Sequence, residues 1–173
     1  MSVKTLADGN VKVTLLAAKP ADKNAIVLTA LTDVGAKDIS CNILSNDFDY
    51  GPTGSETVDE KPLCAEGNGQ TPGLSNYSGG MTVFRYWDPA TGLADSTDDF
   101  LWEAVKEKGT TLYLAVRDSH KKSKEAWTAG DEYRYFEVVT DDPQRGDRAG
   151  FIKYRVTLLH QDAALDKLVV AGP

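Results

Sequence analysis

The feature that most constrains the fold is a series of strand-like segments in the second half of the chain, with no helix between them. Residues 111–117, 132–140 and 151–159 show the apolar–polar alternation, or the enrichment in aromatic and β-branched residues, that strands have. Parallel strands need a crossover connection, usually a helix, whereas antiparallel strands need only a turn. The chain is therefore predicted to be mainly β, an antiparallel β-sandwich or barrel, and a doubly wound parallel sheet is not expected.

One flanking α-helix is predicted over residues 97–108. Ser96 precedes it as the expected N-cap, and Gly109 follows it where helices commonly end. Its apolar side chains recur at a spacing that forms a single buried stripe, made of Phe100, Leu101, Ala104 and Val105. The other elements predicted earlier in the chain are strands over residues 11–15, 37–44 and 81–88 and a short helix over residues 25–34.

The 173 residues fit a single domain with three irregular parts. Residues 1–10 look like an N-terminal arm, and residues 161–173 look like a C-terminal tail with enough apolar side chains to dock. Residues 45–80 contain seven glycines and three prolines, which favour turns. Such a long region poor in apolar residues is unusual unless it is functional or ordered by a partner, so we expect a binding arm or a strand pair with wide loops.

The charge of the chain argues against tight binding to nucleic acid. It carries 26 acidic and 19 basic residues, a net charge of -7. Sequence-independent affinity for DNA comes from lysines and arginines that neutralise phosphates. A surface of this charge can face DNA without retaining it.

Motifs for catalysis or for cofactor binding are weak. The spacing of Gly67, Gly69 and Gly73 lacks the lysine and the helix start of a phosphate loop, and the calcium-loop pattern begun by Asp47 and Asp49 is not completed. His120 and His160 have no nucleophile placed beside them by motif. We expect no enzymatic activity, no cofactor and no metal site.

The two cysteines, Cys41 and Cys64, are expected to be reduced and partly buried. No stretch resembles a membrane helix, and the opening residues lack the apolar core of a signal peptide, so export is not expected.

Aromatic residues are more numerous than one small core readily absorbs. Two explanations remain open: some meet another subunit, or both faces of the sheet are covered within the chain. The aromatic residues in question are Tyr50, Tyr77, Tyr86, Trp87, Trp102, Trp127, Tyr133 and Tyr135.

The order of segments resembles the major tail or tail tube proteins of long-tailed, siphovirus-type bacteriophages, particularly those of actinobacterial hosts. The resemblance begins with Lys4-Thr5-Leu6-Ala7-Asp8-Gly9-Asn10 and continues with Leu31-Thr32-Asp33-Val34-Gly35-Ala36-Lys37-Asp38-Ile39-Ser40. The strand over 81–88, the helix over 98–108 and the strand over 110–117 follow in the family's order. It extends over roughly residues 4–160, with loose motifs.

The resemblance implies a structural subunit without enzymatic activity. Copies would form hexameric rings whose inner sheets join into one barrel, and the rings would stack into the conduit for DNA ejection. Its partners would be further copies of itself, the tape measure and tail terminator proteins and passing DNA, with no membrane. The expected location is the virion tail, after assembly in the host cytoplasm.

Two groups of residues are candidates for these roles. The lumen-facing candidates are Glu56, Asp59, Glu60, Glu137 and Asp141. The inter-subunit candidates, in the long loop and the tail that would bridge subunits, are Tyr50, Pro52, Leu74, Tyr77, Leu168 and Val169. Lys121, Lys122 and Lys124 are expected in a hairpin loop away from the lumen, where they could pair with acidic residues of a neighbour.

Other functions remain open at this point. A monomeric β-sandwich could bind carbohydrate through Trp87, Trp102 or Trp127, and a flat exposed aromatic platform would favour that reading. A head–tail or tail completion protein of the same fold is a further alternative. A hydrolase that uses one of the acidic pairs has the least support.

Overall fold

The computed structural model describes residues 4–58, 60, 63–64 and 70–172. Within these residues it is mainly β, with two short helices, α1 (Leu28–Thr32) and α2 (Phe100–Val105). The strands are β1 (Val11–Leu15), β2 (Lys37–Asp38), β3 (Gly51–Pro52), β4 (Thr57–Val58), β5 (Thr71–Pro72), β6 (Tyr77–Ser78), β7 (Gly80–Phe84), β8 (Thr111–Asp118), β9 (Glu132–Thr140), β10 (Gln144–Arg145) and β11 (Lys153–Leu168).

The main sheet is antiparallel and curls into a half-barrel, which confirms the predicted fold class. Its strands lie in the order β2-β1-β8-β9-β11. The predicted strands over 11–15 and 132–140 are confirmed, and β8 extends one residue beyond the predicted end. Strands β8 and β9 form the expected hairpin, with Leu114 opposite Phe136.

Strand β11 is the longest element and belongs to two parts of the sheet. Its first residues lie between β7 and β10, and from Leu158 onward it pairs with β9. The predicted end at Leu159 is therefore wrong, since most of the predicted tail is strand. Register shifts between His160 and Asp162 and between Ala164 and Lys167 break the period-2 alternation that marks a strand in sequence.

Both faces of the sheet are covered within the chain. Because successive strand residues point to opposite faces, Leu114 packs in one core and Ala115 in the other. The first core is closed by α2 and β7, and the second by α1 and Trp127. This arrangement favours the second explanation for the many aromatic residues. Those buried inside the chain are Tyr50, Trp127, Tyr133 and Tyr135.

Helix α2 is shorter than predicted, and its N-terminal cap differs. The carboxylate of Asp95 accepts hydrogen bonds from the backbone N–H groups of Thr97 and Asp98, so residues 96–99 form a turn. Asp99, and not Ser96, occupies the N-cap position, and its side chain makes no capping hydrogen bond. The predicted apolar face is confirmed, with Leu101 and Val105 fully buried.

The predicted strand over 37–44 is mostly wrong. Only Lys37–Asp38 pair with β1, and the N–H of Asn42 then bonds back to the carbonyl of Ile39 in a turn. Ile39 and Ile43 are both buried. The alternation of apolar and polar residues in this segment therefore comes from a turn that buries an isoleucine at each end. The first helix also covers only Leu28–Thr32 of the predicted 25–34, and β7 ends at Phe84, before the predicted Asp88.

Residues 51–78, here called the long hairpin, adopt the predicted strand-pair arrangement in their described part. Strand β3 pairs with β6 at the base, and β4 pairs with β5 farther out.

Both cysteines are free, and both are exposed, so the prediction of partial burial is wrong. Among the residues described here, no helix has the length and apolar character needed to cross a membrane.

Candidate functional site

The long hairpin is fixed to the sheet by a cluster of rings. The hydroxyl of Tyr50 lies 3.0 Å from Nδ1 of His160, and the ring of Tyr77 stacks on the imidazole with centroids 4.0 Å apart. Both tyrosine rings also meet Phe136 edge to face. Burial lowers the pKa of His160 and raises that of Tyr50 to about 12, so both are neutral at pH 7. The ring cluster thus holds the base of the long hairpin against the sheet.

The predicted contact residues divide into buried and exposed ones. Tyr50 and Val169 lie in the chain's own cores, which leaves them little surface for a neighbour. Tyr77 is half-buried in the ring cluster. Pro52 is exposed, as are Leu74 and Leu168, whose accessible fractions are 78% and 56%.

The structure does not gather the predicted lumen residues into one cluster. Glu56 and Glu60 are exposed on the long hairpin, and Asp59 lies outside the described residues. Glu137, on β9, is half-buried and lies 2.7 Å from Nζ of Lys19. Asp141 follows β9 and pairs with Lys108, which lowers the pKa of the Asp141 carboxyl.

One edge of the main sheet is left without a hydrogen-bonded strand over part of its length, as far as the described residues show. The outer edge of β11 is covered by β7 only as far as Thr157, and no described strand pairs with that edge over residues 159–168. We call this stretch the open edge. Leu159 and Leu168 are exposed on it. A long unpaired edge is a template for a strand of another chain.

The opposite border of the sheet is short and charged. Strand β2 has only two residues, and Asp38 pairs there with the buried Lys12. The carboxylate of Asp38 accepts hydrogen bonds from the ammonium group of Lys12 and from the hydroxyl of Ser40. The Asp38 pKa is lowered by these bonds against the opposing effect of burial.

The basic loop between β8 and β9 is organised by a buried arginine. The guanidinium of Arg117 donates to the carbonyls of Lys122, Glu125 and Ala126 and to the carboxylate of Asp131. Lys121 pairs with the same Asp131. One of the three predicted lysines therefore has its acidic partner within its own chain.

The three tryptophans considered for carbohydrate binding do not form a flat exposed platform, although Trp87 is 39% exposed. Trp127 is buried, and its Nε1–H donates to the hydroxyl of Thr14 over 2.9 Å. Trp87 and Trp102 both pack on the guanidinium of Arg85, at 4.6 and 4.5 Å from their ring centroids. That guanidinium also bonds to the buried carboxylate of Asp99. The three tryptophans therefore hold structural elements together.

A cavity of about 630 Å³ lies between the N-terminal arm, the base of the long hairpin and the sheet. Much of its wall is apolar, including Val13, Ile43 and Phe136. Its acidic side chains include Asp49, which pairs with Arg155, and Asp118, which pairs with Arg134. Within the described part of the chain, no three metal-ligating side chains form a group that could hold an ion.

Sequence reasoning missed the open edge and the ring cluster. The continuation of β11 was hidden by its two register shifts, and Asp166, with φ of 53°, lies in the second of them. The sequence offered one sign that the strand continues beyond its predicted end. His160 keeps the period-2 spacing of Tyr154, Val156 and Leu158, so it falls on the same face of the strand.

The comparisons with known proteins agree with the resemblance found in the sequence. A family model described as phage tail tube protein matches residues 1–173. No curated protein matches the chain significantly. The family match therefore extends beyond the roughly 4–160 range of the resemblance, to both ends of the chain. The chain belongs to the phage tail tube protein family.

Proposed function

We propose that this chain is the subunit of a tail tube in which six copies form a ring and the rings stack into the conduit for DNA. The observation that carries the proposal is the open edge of β11 at one border of a curled sheet. A ring that closes edge to edge removes such unpaired borders from every copy. The number six comes from the family resemblance alone.

The other border of the sheet supplies the partner surface. Strand β2 pairs with only part of β1, so a strand of another copy can form backbone hydrogen bonds with β1 beside Val11 and Lys12. In the proposed ring, the open edge of one copy pairs with the β1–β2 border of the next copy. Head-to-tail contacts of this type close into a ring when the rotation between copies allows it.

Net charge supports the role of a conduit. A chain of charge -7 has no general affinity for DNA, so passing DNA would not be held. Glu56, Asp59, Glu60, Glu137 and Asp141 stay our candidates for the lumen, although Glu137 and Asp141 are paired with lysines in the single chain. The tape measure and tail terminator proteins, the virion tail as final location and assembly in the host cytoplasm belong to the same proposal.

Light scattering at rising concentration, followed by negative-stain imaging, tests the proposal. We expect rings or tubes from the natural chain. The double variant Leu159→Lys/Leu168→Lys should stay folded and monomeric, because charged side chains on an edge oppose strand pairing. The control Glu107→Lys, at an exposed position two residues beyond α2, changes the net charge by the same amount and should assemble normally. A natural chain that stays monomeric at every concentration would contradict the proposal.

A further inference from the structure

One half-buried side chain connects the long hairpin to the sheet. In the part of residues 51–78 that the structure describes, every residue is exposed except Gly51 and Tyr77. Glycine has no side chain to pack, so the ring of Tyr77 is the main side-chain anchor of the hairpin within these described residues. That ring stacks on His160 of β11, with centroids 4.0 Å apart and planes inclined by 13°. The position of the hairpin base therefore depends directly on the state of this imidazole.

Both ends of the hairpin meet the same imidazole. The hydroxyl of Tyr50, the residue before β3, lies 3.0 Å from Nδ1 of His160, and Tyr77 belongs to β6. A glycine adjoins each strand, since Gly51 follows Tyr50 and Gly79 follows β6 with φ of 126°. Hinges are a few residues at element ends that absorb changes of φ and ψ. The two glycines therefore allow the hairpin to move as a unit when its contacts with His160 are lost.

The contacts with His160 suit a neutral imidazole. In the tautomer that carries its proton on Nε2, Nδ1 accepts a hydrogen bond from the hydroxyl of Tyr50. A protonated imidazole has a hydrogen on both nitrogens, so Nδ1 can no longer accept this bond. Stacking of a cation on Tyr77 would recover part of the cost, but burial is the larger effect and lowers the pKa of His160. The closed arrangement therefore favours the neutral ring.

Acidic side chains on the elements around His160 already have basic partners. The pairs among the described residues are Asp162 with Lys23, Glu137 with Lys19 and Asp49 with Arg155. The charges of Asp162 and Lys23 act on the pKa of His160 in opposite directions. An imidazolium in the cluster would thus compete with a lysine or an arginine for each of these carboxylates.

We propose that His160 is a proton-sensitive latch for the long hairpin: protonation of its imidazole releases Tyr77 and the base of the hairpin while the sheet stays folded. The ring takes up a proton more readily in the open state than in the closed state, so a fall in pH favours the open state. The latch is closed above about pH 6.5, the ordinary pKa of histidine, and opens progressively below it. The inference concerns the single chain and does not depend on rings or tubes.

An NMR titration of the full chain from pH 8 to about pH 5, at a concentration where it is monomeric, tests the latch. Nuclear Overhauser effects between the rings of Tyr77 and His160 report the closed state, and backbone order parameters of residues 53–58 and 70–76 report the motion of the hairpin. As His160 titrates, we expect the ring-to-ring effects to weaken about threefold and the order parameters to fall, while the signals of β8 and β9 persist. Both changes should follow the midpoint of His160 and not that of the exposed His120.

Two variants separate the latch from a general effect of acid. His160→Gln keeps a hydrogen-bonding side chain but gains no charge, so the order parameters of its hairpin should not change with pH. Tyr50→Phe removes the hydroxyl that donates to the neutral ring, so the midpoint of His160 should rise towards that of His120. The matched control His120→Gln should keep the response of the natural chain.

Three results would overturn the latch. The first is a hairpin whose order parameters stay the same while His160 becomes protonated. The second is a His160 that stays neutral down to about pH 5, and the third is loss of the sheet signals together with those of the hairpin. None of these results bears on the tube, which is judged by rings and tubes, and a chain that never assembles would leave the latch standing.

Discussion

Replacing Leu101 by Ala tests how the helix is held on the sheet. Leu101 is 1% exposed and packs in the core closed by α2 and β7. The substitution removes three carbon atoms, which account for about 2.4 kcal/mol of transfer free energy at about 0.8 kcal/mol per carbon. The cavity left behind adds to this, so we expect a loss of about 3 kcal/mol in the free energy of unfolding.

Urea denaturation followed by tryptophan fluorescence measures this loss at a concentration where the chain is monomeric. For a chain of this size, about 3 kcal/mol corresponds to a fall in Tm of roughly 6–12 °C. The control is Glu103→Ala on the exposed side of the same helix, which breaks only a surface pair with Lys106 and should cost below about 0.5 kcal/mol. A loss below about 1 kcal/mol for Leu101→Ala, with an unchanged m-value, would refute the burial of this face.

Two further predictions concern polar groups. Arg117→Met should lower the free energy of unfolding by about 3–5 kcal/mol, because it leaves three backbone carbonyls without their donor and removes one of the partners of the Asp131 carboxylate. An effect no larger than that of the exposed Lys124→Met would refute this. Burial lowers the pKa of His160, so the unfolded chain takes up its proton at the higher pH and stability should fall as the pH falls through about 6.5. The neighbouring charges of Asp162 and Lys23 oppose one another. Denaturation midpoints at pH 8 and pH 5.5 should differ less in His160→Gln than in the natural chain or in His120→Gln, and an equal difference would contradict the assignment.

Sequence alone was sufficient for the elements with a strong local pattern. Strand β9 is rich in aromatic and β-branched residues, and the apolar stripe of α2 has helical spacing, so both were found. The segment 39–44 shows the opposite case. Its alternation is real, but hydrogen bonds of a turn, which no pattern records, decide its backbone.

The candidate surfaces were less predictable because they depend on long-range placement. His160 and Tyr50 are 110 positions apart in sequence, and only the sheet brings them to 3.0 Å. Burial of Tyr50, just before β3, and of Val169, just after β11, likewise depends on how these segments pack onto the two cores.

Hydrogen exchange at residues 159–168, measured across a concentration series, tests the central claim most directly. In the monomer the amides that point away from β9 should exchange fast, because no described strand covers them. In the assembled fraction the same amides should be protected by the strand of a second copy. Equal exchange in monomer and assembly, or a chain that never assembles, would contradict the account.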